Sequence, residues 1–96
     1  MGLIFGLDSG GTKTLAAIAD GNGAVLRLVT AGSLDPLAVP SWRARLDQIV
    51  SQLTEGLTAP VKAAVLGLPF HGEIAEVSQA QDETTTGLFD CPTVVE

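Results

Sequence analysis

Three short apolar segments at the start of the chain are joined by two glycine-containing turns, and this feature limits the fold most. The segments cover residues 3–8, 14–19 and 24–30. The second turn, Asp20-Gly21-Asn22-Gly23, is a strong hairpin signal, because glycine and asparagine accept the positive φ angles that tight hairpins require. Strands joined by such short connections run antiparallel. The sequence therefore predicts an antiparallel three-strand meander.

The hydrophobic spacing becomes helical after the meander. Apolar residues recur on one face of a predicted helix at Trp42, Leu46, Ile49, Val50, Leu53 and Leu57. Trp42 is thus expected in the core. Ser41 is a suitable N-cap, and Gly56 followed by Pro60 marks the end of the helix.

The second half of the chain alternates strand and helix signals. Residues 61–66 form a nearly continuous apolar segment, which fits a buried parallel strand. A second helix is predicted within residues 73–86, weakened at its end by three threonines, with Asp82 and Glu83 on a solvated face. Residues 92–95 read as a fifth strand.

The element order is thus β-β-β-α-β-α-β in one α/β domain, residues 1–96. A meander followed by parallel crossover strands predicts one mixed sheet with helices covering its faces. Nothing follows the fifth strand to cover it, and 46% of the residues are hydrophobic, a high fraction for a small free-standing domain. We therefore expect a truncated domain that packs against a further part of its protein.

Composition excludes several classes of partner. The net charge of −6 lacks the surplus of Lys and Arg that nucleic-acid binding needs. No apolar segment approaches the roughly 20 residues of a membrane span, and no signal peptide is evident. Cys91 is the single cysteine, which excludes an internal disulfide and favours a cytoplasmic location.

The first turn concentrates chemically useful groups in seven consecutive positions, Asp8-Ser9-Gly10-Gly11-Thr12-Lys13-Thr14. The two glycines lack side chains, so backbone N–H groups can approach phosphate oxygens closely. Thr12 and Thr14 add hydroxyl donors, and Lys13 adds a cation. Asp8 ends the first strand and is placed to hold a hydrated Mg²⁺, which takes only one or two carboxylates.

Other phosphate loops fit this segment less well. The Walker pattern nearly matches from Gly6 to Gly11, but Thr12 stands where lysine is needed and no helix follows. The dinucleotide fingerprint is absent. A plain reading, in which Gly10 and Gly11 only make a hairpin, explains less of the seven-residue pattern.

Leu7-Asp8-Ser9-Gly10-Gly11-Thr12-Lys13-Thr14 resembles the first phosphate motif of the actin/hexokinase/Hsp70-like ATPase superfamily. Within that superfamily it is most similar to the BadF/BadG/BcrA/BcrD-type group, which includes N-acetylglucosamine and glucosamine kinases. The resemblance implies a ribonuclease-H-like first domain and a second, similar domain that is absent from this chain. It implies ATP and Mg²⁺ as cofactors. The ATP phosphates would be bound by Ser9, Gly10, Gly11, Thr12, Lys13 and Thr14, and Mg²⁺ by Asp8 through water.

The same resemblance implies an ATP-dependent kinase for a small sugar, with an amino sugar as the expected acceptor, and a homodimer at full length. The catalytic base is expected beyond Glu96, so the 96-residue chain alone is expected to be inactive. Asp35 lies where these kinases place a sugar-contacting loop, often with asparagine before the proline, and it is also an ordinary turn residue. His71 follows the fourth strand and is a second, weaker candidate for the substrate site.

Two other functions stay open at this stage. The first is the ATPase activator of a 2-hydroxyacyl-CoA or benzoyl-CoA type reductase. Those relatives usually have Gly-Ser-Thr in the turn and need cysteines for a shared iron–sulfur cluster, so Gly10-Gly11-Thr12 and the lone Cys91 favour the kinase. The second is a domain that binds phosphate without catalysis.

Overall fold

A computed structural model describes residues 2–96 and contains five strands and two helices. These are β1 (Leu3–Ser9), β2 (Lys13–Ala19), β3 (Val25–Gly32), α1 (Trp42–Thr54), β4 (Val61–Gly67), α2 (Ala75–Thr86) and β5 (Thr93–Val95). The predicted order of elements is confirmed, and element ends shift by a few residues at most. Within residues 2–96, neither helix is long and apolar enough to cross a membrane.

The five strands form one mixed sheet in the order β3-β2-β1-β4-β5. The meander is confirmed, because β1–β2 and β2–β3 are antiparallel pairs. The crossover strands are parallel, with β4 beside β1 and β5 beside β4. Since β1 and β4 are parallel neighbours, the turn after β1 and the loop after β4 leave the sheet at the same edge.

Helix α1 packs on one face of this sheet and supplies four of the thirteen buried hydrophobic residues of the core in residues 2–96. Its buried side chains, Trp42, Leu46, Ile49 and Leu53, are those of the predicted stripe. They join a single hydrophobic cluster with strand residues such as Phe5, Ile18 and Leu66, each essentially inaccessible. Ser41 precedes the helix as predicted, but its side chain makes no capping hydrogen bond. Gly56 adopts φ +75°, a conformation that favours glycine just after a helix.

Helix α2 lies on the same face as α1, which corrects the expectation that helices cover both faces. Arg43 Nε in α1 donates to Thr84 Oγ1 in α2 across 3.1 Å. Both crossovers, β3 to β4 and β4 to β5, step along the sheet in the same direction. Crossovers of one hand that step in one direction place their helices on one face.

The opposite face is open and carries apolar side chains. Those with 42% to 61% of their surface exposed include Ile4, Leu15, Leu28, Val65 and Val94. The apolar run of β4 therefore reflects a strand that is paired on both edges but covered on only one face. We call this surface the open face.

Helix α2 differs from α1 in being almost free of large apolar residues. Its buried residues are Gln81 and Thr85. Its three terminal threonines remain helical, because their hydroxyls donate to carbonyls one turn earlier: Thr84 to Ala80, Thr85 to Gln81 and Thr86 to Asp82, at 2.7–2.9 Å. The predicted weak end of this helix is thus held by side-chain hydrogen bonds.

Candidate active site

The turn between β1 and β2 divides the seven-residue motif between the two faces of the sheet. Side chains alternate along a strand, so Asp8 and Lys13 are on the open face and exposed, whereas Ser9 and Thr14 are on the covered face and buried. The turn itself is closed by Gly10 N–H donating to Lys13 O across 2.9 Å. The structure thus brings the predicted phosphate-binding residues together but does not give them one orientation.

Gly10 and Gly11 are not required by the fold itself. Neither adopts the positive φ that favours glycine. A Cβ added to Gly10 would come no closer than 4.0 Å to Lys13 O, and one added to Gly11 would meet nothing within 4 Å. The two glycines therefore keep a space above the turn empty of side chains. Within residues 2–96, Gly11 N–H donates to no backbone carbonyl outside the regular elements, so it is available to a ligand.

Ser9 and Thr14 take part in a closed ring of hydrogen bonds beneath the turn. Thr14 Oγ1 donates to Gly32 O at 2.8 Å, and Leu34 N–H donates to Ser9 Oγ at 2.9 Å. The two hydroxyls lie 2.8 Å apart. Because the Thr14 proton is used on Gly32, Ser9 is the donor in that pair. The two hydroxyls thus join the hairpin to the end of β3 and to the segment that follows it, on the side away from the open face.

Ser33 makes a second connection between the same two segments. Its hydroxyl donates to Gly10 O at 2.6 Å and accepts Asp35 N–H at 3.0 Å. Its own carbonyl accepts Arg45 Nη1 from α1 at 2.8 Å. Gly32 leaves room for that guanidinium, since a Cβ there would lie 2.6 Å from Arg45 Nη1. Sequence spacing did not reveal these contacts of Ser33 with Gly10 and Arg45, because they join residues far apart in the chain.

Asp8 stands beside a glycine of the neighbouring strand. Gly67 pairs with Asp8 in register, and a Cβ on Gly67 would approach Asp8 Oδ1 to 3.2 Å. The carboxylate borders an apolar depression of about 300 Å³ on the open face, whose lining includes Gly6, Leu15 and Val65. An exposed carboxylate next to the glycine turn matches the donor set of a mostly hydrated Mg²⁺. The residues present therefore fit the predicted magnesium ion.

Asp35 is linked to the turn by hydrogen bonds through Ser33, and one of its carboxylate oxygens makes a contact within its own loop. Its Oδ1 accepts Leu37 N–H at 2.8 Å, which is a typical turn contact. Its backbone N–H bonds to Ser33 Oγ, and Ser33 Oγ bonds in turn to Gly10 O. The structure thus joins the loop of Asp35 to the phosphate turn through one hydroxyl.

His71 lies on the helix-covered side, apart from Asp8. His71 Nε2 is 2.7 Å from Asp82 Oδ1 of α2. The pair borders a cavity of about 340 Å³ with Thr93 and Val95. Those two residues pair with Ala64 and Leu66, which are buried under the helices. The structure therefore does not bring His71 to the open face where Asp8 and Lys13 lie.

Solved structures of three sugar kinases and of a phosphatase resemble this chain in fold. A putative N-acetylglucosamine kinase from Chromobacterium violaceum matches 99% of this chain with a TM-score of 0.62 and 22% identity. A xylulose kinase from Lactobacillus acidophilus matches 92% of it (TM-score 0.59, 19% identity). A ROK family glucokinase from Streptomyces griseus, in complex with glucose and AMPPNP, matches 99% (TM-score 0.58, 19% identity). A Ppx/GppA phosphatase from Aquifex aeolicus also matches, with a TM-score of 0.57 and 9% identity.

These matches show an α/β fold of the actin/hexokinase-like, ribonuclease-H-like type, as the motif predicted. At such identities they show the fold alone. The chain spans 34%, 23% and 33% of the length of the three kinases, in the order given above. No protein-family model matches the sequence, and no curated protein matches it. The BadF/BadG/BcrA/BcrD-type assignment therefore remains a prediction from the motif.

Proposed function

We propose that this chain is the first part of an ATP-dependent sugar kinase and that the β1–β2 turn binds the phosphates of ATP. The observation that carries this proposal is the space beside Gly10 and Gly11 that no side chain fills, together with a Gly11 N–H that donates to no backbone carbonyl of the turns and loops in residues 2–96. Neither glycine is needed for the backbone conformation. We therefore attribute the lack of side chains at these two positions to a ligand that binds there. Exposed backbone N–H groups in such a turn form an anion site.

The neighbouring groups suit a triphosphate. Lys13 offers a cation beside the turn, and Thr12 is an exposed hydroxyl within it. Asp8, on the same face, is the residue that would hold Mg²⁺ through water. The ion would supply charge neutralisation between the phosphates. The motif predicts that Ser9 and Thr14 bind the phosphates. In this geometry they would act indirectly, by holding the turn in place from the covered face.

The chemistry would be in-line transfer of the γ-phosphoryl group to a sugar hydroxyl. In such reactions positioning and fixed donors supply most of the rate enhancement. The chain contributes the donors of the turn, and the loop of Asp35 would carry acceptor contacts. The base that takes the hydroxyl proton would lie beyond Glu96. The adenosine pocket would lie in a second domain. An amino sugar, either N-acetylglucosamine or glucosamine, is the acceptor that the motif favours.

Sugar-kinase neighbours in the structural comparison support this choice over the other candidates, although the phosphatase match means that fold alone does not decide it. The reductase-activator alternative is disfavoured by Gly10-Gly11-Thr12 and by a single, half-buried Cys91. We further propose a cytoplasmic homodimer for the full-length protein.

The test is sugar-dependent ADP release by a protein in which this chain is followed by its second domain. Asp8→Ala should lower turnover by about two orders of magnitude or more, since loss of one charge contact in the transition state costs roughly 3–4 kcal/mol. Asp47→Ala, an exposed aspartate on α1, is the matched control and should retain turnover. Phosphate release without any acceptor, or acceleration only by a reductase partner, would replace the kinase with one of the alternatives.

A further inference from the structure

Within residues 2–96, Ser33 is the one side chain that donates a hydrogen bond to a carbonyl of the β1–β2 turn. Its hydroxyl donates to Gly10 O at 2.6 Å. The residue is 6% exposed and is held from three directions, by Gly10, by Asp35 N–H and by Arg45 Nη1 on its carbonyl. Such a buried, fully used hydroxyl has a defined position, because every change of rotamer breaks at least one hydrogen bond.

The contact fixes more than the carbonyl that it touches. The peptide group between Gly10 and Gly11 is trans, and a trans peptide is planar with its C=O and N–H pointing in opposite directions. When Ser33 holds Gly10 O toward the covered side, the Gly11 N–H must face away from it. The Gly11 N–H is thus directed away from the covered side of the sheet, on which Ser33 lies.

The turn would not hold this orientation by itself. Gly10 and Gly11 have no Cβ, so the peptide group between them can rotate more freely than between other residues. The hairpin bond from Gly10 N–H to Lys13 O fixes the peptide on the other side of Gly10. Ser33 supplies the constraint that the glycines lack.

We infer that Ser33 is a positioning residue: its hydroxyl aims the Gly11 N–H at the phosphate and joins this donor to the loop of Asp35. The link to the loop of Asp35 follows because Ser33 Oγ donates to Gly10 O and accepts a hydrogen bond from Asp35 N–H. A ligand that orders the Asp35 loop thereby favours the binding orientation of the turn, and phosphate at the turn favours the ordered loop. This inference rests on the proposed function for the identity of the ligand, and on geometry alone for the orientation of Gly11.

Ser33→Ala in the 96-residue chain tests the orientation without any ligand. The measurement is the order parameter of the Gly11 N–H from amide relaxation. We expect a value of about 0.85 in the unmodified chain and below about 0.6 in Ser33→Ala, the ranges of rigid and flexible backbone. Ser41→Ala is the matched control, since Ser41 is exposed and makes no capping hydrogen bond. The amide signal of Phe5, in the core of β1, reports whether each variant keeps its fold. A Gly11 N–H as rigid in Ser33→Ala as in the control overturns the inference.

Titration with Mg·ATP, followed at the Gly11 amide, tests the link to the ligand. Loss of one well-placed donor should weaken binding by about threefold to tenfold in Ser33→Ala. It should also reduce the shift of the Asp35 amide on binding, an effect that a purely structural serine would not produce. Equal affinity in both chains overturns the coupling. If a protein in which this chain is followed by its second domain also binds no Mg·ATP, the proposed function fails, while the ligand-free measurement still decides the role of Ser33. If the variant loses its fold, Arg45→Met, which removes the donor to Ser33 O, takes its place in both measurements.

Discussion

The covered and open faces of the sheet are built from the same strands but bury very different amounts of surface. Under α1 and α2, Phe5 and Ile18 are fully inaccessible, whereas Ile4 and Leu15, on the opposite face of the same two strands, are 42% and 46% exposed. Ser9 and Thr14 bond internally on the covered face, while Asp8 and Lys13 are exposed on the open face. The covered face therefore holds the fold together, and the open face and its edge hold the groups available to a ligand.

The largest contrast is expected from one leucine on each face. Leu46→Ala removes a fully buried side chain of α1 and should lower the free energy of unfolding by about 2–5 kcal/mol. Leu28→Ala on the open face, where the side chain is 61% exposed, should change it by about 0.5 kcal/mol or less. Urea unfolding of both variants gives the comparison. Similar losses in the two would show that the open face is covered in solution, for example by a second copy.

A pair of threonines extends the comparison to the turn. Thr14→Val leaves Ser9 Oγ and Gly32 O without their partner in a buried position, which should cost about 1–3 kcal/mol. Thr12→Val changes an exposed residue of the same turn and should cost about 0.5 kcal/mol or less. Thermal unfolding decides between them. Equal small effects would mean that the hydrogen-bonded ring beneath the turn contributes little to stability.

Self-association is the smaller effect that we expect of the open face. An apolar sheet face left uncovered favours contact between copies of the 96-residue chain. Val65→Lys places a charge among the exposed apolar side chains and should reduce the apparent mass at high concentration. Light scattering against concentration measures this, with Lys62→Ala as a control that removes a charge elsewhere on β4. A concentration-independent monomer for the unmodified chain would contradict the expectation.

Local sequence signals predicted most of this fold. Alternating and helical spacing, with glycine at the turns, located all five strands and both helices. What spacing did not reveal was which face each helix covers, because that depends on the direction of successive crossovers. The contacts of Ser33 with Gly10 and of Arg45 with Ser33 were equally hidden, since they join residues 12 or more positions apart. The motif itself predicted Asp8 to Thr14 as a group but not that Ser9 and Thr14 turn away from the open face.

The central claim is that Gly10 and Gly11 reserve space for phosphate, and Gly11→Ala tests it most directly. Its added Cβ meets no atom of the protein within 4 Å, so the melting temperature should change by no more than a few degrees. Gly87→Ala, at the end of α2 with φ −89°, is the matched control. On titration with Mg·ATP, the unmodified chain and Gly87→Ala should show amide shifts confined to the turn, Asp8 and the loop of Asp35. Gly11→Ala should bind about tenfold more weakly or worse, as expected for loss of a hydrogen bond to a charged group. Equal binding by Gly11→Ala, or no shift at the turn in the unmodified chain, would contradict the account.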